Sequence, residues 1–284
     1  MDTGFPASDA QNDFQRARRQ RTLGELGRRL RREPDDVALI LPFEEVVEAL
    51  GRVGERYLGL RNVPLDQIVG SVDRTREFDR RFRPVSRRVR GRWERIAAAQ
   101  RRGESMPPIS LYRIGELHFV RDGHHRVSVA RSLGRIDIDA YVTEVTTRVG
   151  MNGDVRLSDL PLKSHERLFF ERVPLEAERR RRVTLSDPWE YALLAEGVEA
   201  WGFRASQERA TLLDRAAVAR AWFDDEYAPV SRMLEDGGFV HKGETEGDAY
   251  MRIASRRYRL LRTHAWTPEV LERLRHDTTE LKLP

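Results

Sequence analysis

The run Phe119-Val120-Arg121-Asp122-Gly123-His124-His125-Arg126 sets a carboxylate, a glycine, two imidazoles and a guanidinium side by side. A strand that ends in Asp122, a turn at Gly123 and a helix that opens at His124 would aim free helical N–H groups and these side chains at one point. Phosphate is the ligand that such a point suits. Gly123, His124, His125 and Arg126 are therefore the candidate phosphate-binding residues. Asp122 has two readings: a Mg²⁺ ligand against phosphate oxygens, or a helix cap that orients His125. In the first reading Asp122 and His125 are the catalytic pair, with the imidazole steadying transferred charge. The plainer alternative is a capped helix with its histidines satisfied in the core.

Two arginine-rich segments come next. From Phe14 to Arg32 the residues Leu23, Leu26 and Leu30 recur at helical spacing among Arg16, Arg18, Arg19, Arg21, Arg28, Arg29, Arg31 and Arg32, before Pro34. Such a helix can neutralise DNA phosphates without reading sequence, or lie on the surface packed through its leucines. Arg74, Arg76, Arg80, Arg81 and Arg83 form the second cluster, interleaved with Asp73, Glu77 and Asp79, with which they would pair as mixed charge runs do. Asp137 and Asp139 share one side of a strand and could hold a metal between them, although alternation alone puts polar residues on that solvent face. Asp224, Asp225 and Glu226 fall on consecutive helical positions and cannot converge on one ion.

The whole chain sets limits on the chemistry. Its 284 residues carry 51 Lys and Arg against 46 Asp and Glu, a formal charge of +5, and lysine occurs only at 163, 242 and 282. Guanidinium-dominated charge suits a nucleotide or nucleic-acid partner, and a GC-rich genome produces the same bias. The absence of cysteine excludes disulfides, thiolate zinc sites, iron–sulfur clusters and thiol catalysis. The polar start and the lack of a long apolar run point to a cytoplasmic protein with no membrane partner.

The elements that must position the site follow from periodicity. Residues 1–12 read as a disordered tail and 13–60 as a basic helical arm with a second helix from Phe43 to Tyr57. In 61–148 the period changes repeatedly. A short strand Val63–Ile68 and a helix Arg92–Arg102 precede the hairpin Ile109–Arg113 and Leu117–Asp122. A helix from Gly123 to Gly134 and a strand Ile136–Val145 complete the unit. Residues 149–186 read as a linker, and 187–284 as an all-α domain. The expected class is α+β.

The segment Val63 to Val145 resembles the N-terminal domain of ParB-like proteins, in the ParB/sulfiredoxin superfamily. Ile68 with Arg74, Arg76 and Phe78 looks like its first strand and arginine-bearing loop, Pro108-Ile109-Ser110-Leu111 like the strand after its "QPI" signature, and Gly123-His124-His125-Arg126 falls where the family carries a Gly-Glu-Arg-Arg box. The resemblance implies a nucleoside triphosphate, CTP or ATP, with Mg²⁺, bound at that box, and Arg74 or Arg76 clamping a phosphate opposite Gly123. It further implies a DNA-associated protein of the chromosome-partitioning or transcription-regulator type, with a homodimer formed through the helical domain. The Asp-Gly-His-His-Arg spelling is similar to a second branch that includes free serine kinases, which implies a nucleotide-dependent small-molecule kinase as the alternative. The sulfiredoxin branch uses a cysteine at this turn, and this chain has none.

Overall fold

The computed structural model describes residues 3–280; the ends of the expected tail and helical domain, 1–2 and 281–284, lie outside the described residues. The chain divides into two compact units, the first ending at Ser164 and the second beginning at His165. The first contains α1 (Pro6–Leu30), β1 (Leu41–Pro42), α2 (Phe43–Leu50), β2 (Arg52–Pro64), β3 (Ile68–Ser71), α3 (Arg90–Arg101), β4 (Ile109–Ile114), β5 (Leu117–Asp122), α4 (His124–Ser132) and β6 (Asp137–Thr147).

Its six strands form one mixed sheet in the order β1-β3-β5-β4-β6-β2. The β4–β5 hairpin is antiparallel, as expected, with Ile114 opposite Leu117, while β4 runs parallel to β6 and β3 parallel to β5. Against one face pack Ala10 and Phe14 of α1, Trp93 and Ala97 of α3 and Val127 of α4, over Ile109, Leu111, Val120, Ala140 and Val142. The rings of Phe14 and Trp93 meet edge to face at 5.4 Å, and the Trp93 indole N–H donates to Ser128 Oγ at 2.8 Å, which ties α3 to α4. On the other face Phe43 of α2 stacks on Tyr112 at 4.5 Å. Gly70 lets β3 pass there, since a Cβ would sit 2.1 Å from Phe119.

Four expectations are corrected. Residues 6–12 are helical, not a tail: Ala10, Phe14 and Ala17 bury on one face of α1, and Thr3 donates from its N–H and Oγ1 to Asp9 Oδ1 at 2.9 and 2.8 Å. The second helix stops at Leu50, because Gly51 adopts φ 73° and sends residues 52–64 out as the edge strand β2. Residues 41–60 thus belong to the sheet unit rather than to a helical arm. The stretch expected as one strand, Val63–Ile68, is divided between β2, a short 3-10 turn at Leu65–Gln67 and β3. Finally, residues 149–186, expected as a linker, carry α5 (Leu160–Arg172) and α6 (Ala177–Arg180) and bury Phe169, Phe170, Val173 and Leu185.

The second unit is helical throughout its described elements, as expected. It holds most of α5, α6, α7 (Pro188–Glu208), α8 (Arg215–Trp222), α9 (Ala228–Asp236), α10 (Glu246–Leu261) and α11 (Pro268–Glu280). A π-helical turn, Phe223–Tyr227, joins α8 to α9. Trp222, Tyr227 and Tyr250 pack together at its centre. Among the described residues no helix is long and apolar enough to cross a membrane.

Candidate functional site: the turn before α4

Gly123 adopts φ 104°, and a Cβ there would lie 2.3 Å from Cγ2 and 2.7 Å from Cβ of Ile109. Only glycine makes this turn against β4 without displacing it. The helix it opens leaves the N–H groups of His124, His125 and Arg126 with no intrahelical carbonyl, since the first such bond runs from Val127 N–H to the Gly123 carbonyl at 3.0 Å. The helix dipole adds to their pull on an anion.

Both histidines are buried, His124 to 4% and His125 to 6% exposure. His124 Nε2 meets Ser71 Oγ at 2.8 Å, at the end of β3, and Ser71 Oγ also accepts the Arg74 N–H at 3.0 Å. Asp73 Oδ1 stands 3.8 Å from the same nitrogen. Burial lowers the His124 pKa to about 4, against the smaller opposing pull of Asp73. His125 lies edge-on to Phe78 at 5.5 Å, and its Nδ1 is buried with no hydrogen-bond partner among the described residues. Its pKa also falls to about 4, through burial first and then the charge of Arg92. At neutral pH both rings are therefore neutral, and positive charge at this site comes from arginine and from the helix.

The expected arginines divide. The Arg126 guanidinium donates to Asp122 Oδ2 at 2.6 Å and to the carbonyl of Pro108 at 3.0 Å, with a second contact to Pro107, so it fastens the extended Pro107-Pro108 approach to β4. Arg74 donates to both Glu77 carboxylate oxygens, at 3.0 and 2.8 Å, and Arg83 pairs with Asp79 at 2.8 Å, the fate expected of a mixed charge run. Arg76 is exposed. Ser71 and Arg92 are the residues that sequence reasoning missed. Ser71 carried no local signal; for Arg92 the one hint was its neighbour Trp93, whose buried indole fixes α3 against α4 and so brings the Arg92 charge to bear on His125.

Asp122 does not act as a helix cap by side-chain hydrogen bond; its carboxylate is two-thirds exposed and paired with Arg126. Among the described residues no group of three or more His, Cys, Asp or Glu side chains is placed to hold a metal ion. The donor set thus does not fit a protein-held Mg²⁺. What the turn offers an anion instead is the unpartnered His125 Nδ1 and the α4 N–H groups that have no intrahelical carbonyl.

In α1 the arginines are unevenly available. Arg19, Arg29 and Arg32 are exposed, Arg18 and Arg28 half-buried, Arg21 paired with Glu25 at 3.1 Å and Arg31 with Glu33 at 2.6 Å. Leu23, Leu26 and Leu30 do not pack as expected: they are 68, 55 and 78% exposed, because α1 buries only its first half. Asp139 accepts from Asn62 Nδ2 at 3.3 Å. Asp224, Asp225 and Glu226 point to Arg179, Arg209 and Tyr250 respectively, so they do not converge.

Fold and site together define a mixed-sheet α/β protein with an anion-suited helix N-terminus at the end of a central strand. The crystal structure of sulfiredoxin from Arabidopsis thaliana is similar to part of this chain, at 18% identity and a TM-score of 0.24, over 31% of this chain and 86% of that one. No protein-family model matches the chain, and no curated protein matches it.

Proposed function

We propose that the turn before α4 binds the phosphate end of a nucleoside triphosphate, CTP or ATP, and that nucleotide occupancy modulates association of the basic helix α1 with DNA. The observation that carries the reading is the buried, uncharged His125, whose Nδ1 lacks a partner beside three N–H groups that the helix cannot satisfy. A buried polar atom left unpaired is costly, about 1–3 kcal/mol, and a phosphate oxygen arriving at this turn meets donors rather than competing bonds. Arg92 supplies charge beside His125, and Arg74 and Arg126 exchange a carboxylate for phosphate. Any Mg²⁺ that accompanies the nucleotide would be held by phosphate oxygens and water rather than by protein side chains. The exposed Arg19, Arg29 and Arg32 contact DNA backbone without reading bases.

The kinase reading draws on the same turn: the acceptor hydroxyl would displace the nucleoside diphosphate as leaving group while the α4 N–H groups and the neutral His125 ring steady the charge on the phosphoryl group in transfer. It differs in one observable, acceptor-dependent nucleotide turnover.

The test is calorimetric titration of CTP, ATP and ADP with Mg²⁺ into the wild-type protein and His125→Ala. One nucleotide should bind wild type, and the variant should lose at least about tenfold in affinity. Equal binding by both proteins, or none by wild type, removes the assignment.

A further inference from the structure

The second unit contains a cavity of ≈ 540 Å³ bounded by the start of α7, the turn before α10 and one face of α10. Four carboxylates stand at one end, and three have partners. Asp187 caps α7 by accepting the Trp189 N–H at 2.9 Å. Asp248 accepts the N–H groups of Ser186 and Thr245 at 2.8 and 3.0 Å, and Glu244 pairs with Arg252 at 2.8 Å. The Glu190 carboxylate makes no hydrogen bond or ion pair among the described residues, its backbone N–H alone donating to the Asp187 carbonyl at 3.2 Å. Its carboxyl pKa is raised by burial and then by Asp248, Asp187 and Glu244.

The other end is cationic. Arg252 is occupied by Glu244 and by the Phe239 carbonyl at 2.6 Å, whereas Arg256 and Arg259, on the same face of α10, make no ion pair among the described residues. At the α-helical rise they stand about 12 and 16 Å along the axis from Asp248. Unpaired charges of opposite sign thus line one cavity on two helices without meeting. A bare metal ion does not suit the acidic end, where no metal-holding group is assembled among the described residues. A bare anion would leave Glu190 unmatched.

We propose that this cavity binds a small zwitterion, its ammonium at Glu190 and its carboxylate or phosphate at Arg256 and Arg259. Such a ligand supplies both missing counter-charges at once, and the cavity falls within the ordinary volume range of small-molecule sites, about 300–1,000 Å³. The inference is independent of the nucleotide reading, since every residue it uses lies in the second unit.

Calorimetry on the full chain tests it with γ-aminobutyrate, ε-aminohexanoate and ω-aminooctanoate as a ruler series, ω-aminohexyl phosphate to distinguish the anionic end, and hexanoate and hexylamine as one-ended controls. At least one two-ended probe should bind about tenfold more tightly than either control. Glu190→Gln, nearly isosteric, should reduce that probe to the level of hexanoate, and Arg256→Ala with Arg259→Ala to the level of hexylamine. Tighter binding of the phosphate-ended probe supports the site and assigns its anion. Hexanoate or hexylamine binding as well as the two-ended probes overturns the proposal in favour of a single-charge site, as does no binding of any probe at about 10 mM. Thermal melts of the variants separate lost binding from lost folding.

Discussion

At the turn before α4 the charges nearest the helix start are matched within the protein, Asp122 with Arg126 and Arg74 with Glu77, and two histidines are held neutral by burial, while Asp73, Arg76 and Arg92 remain exposed. Beside α10 the side chains of Glu190, Arg256 and Arg259 line open space with no ion pair among the described residues. The difference separates two ways of preparing for a ligand. The first site presents fixed dipoles and a neutral imidazole, so its affinity depends on backbone geometry and on excluding water. The second presents partly exposed side-chain charges, so its affinity depends on ionic strength.

The largest effect that could break the contrast belongs to the backbone. Gly123→Ala puts a methyl group within 2.3 Å of Ile109 in a left-handed conformation, and we expect a loss of about 3 kcal/mol or more in urea unfolding. A loss under about 1 kcal/mol would show that the turn is not the rigid element that positions the site.

His125→Leu sharpens the same point. Because Nδ1 has no partner to lose, unfolding stability should stay within about 1 kcal/mol of wild type while nucleotide binding disappears. Stability and binding falling together would mean that the ring is structural.

A third effect is pH-dependent. His118, His124 and His125 have folded-state pKa values of about 4 against an ordinary 6.5. Below pH 6.5 the unfolded chain takes up protons that the folded protein excludes, so their contribution lowers stability progressively from 6.5 towards 4 and is constant above 6.5. Melting temperatures across this window should fall with pH, and the fall should be shallower in His118→Leu, which removes one of the three groups. Identical slopes would contradict the burial-driven shifts.

The smallest effect concerns α1. Replacing Arg19, Arg29 and Arg32 by Ala should leave stability within about 0.5 kcal/mol and flatten the salt dependence of DNA binding by about one unit of log–log slope for each phosphate no longer neutralised. An unchanged slope would remove α1 from the DNA interface.

The hairpin and the helix after it were legible because Gly115 and Gly123 punctuate runs of clear period, and this is the part of the fold that bears the site. β2 was not legible as a strand. Val53 continues the helical spacing of Val46, Val47 and Leu50, and pairing with β6 overrides that local pattern. Residues 149–186 concealed their core because Phe169, Phe170 and Val173 sit among arginines that give the stretch a linker's composition. At the site, Gly123, His124 and His125 could be placed from spacing alone. Ser71 and Arg92 reach the same point only through the parallel β3–β5 pairing and the α3–α4 packing, which no local pattern encodes. The sequence also could not show that Arg126 is engaged with Pro107 and Pro108, since that bond depends on where the extended chain passes.

The central claim is that phosphate meets the first turn of α4, and backbone amide chemical shifts report this most directly. On titration of the ¹⁵N-labelled protein with CTP or ATP and Mg²⁺, the amides of His124, His125 and Arg126 should show the largest shifts, moving downfield as they take phosphate acceptors. Saturable shifts elsewhere with these three amides unmoved would contradict the account.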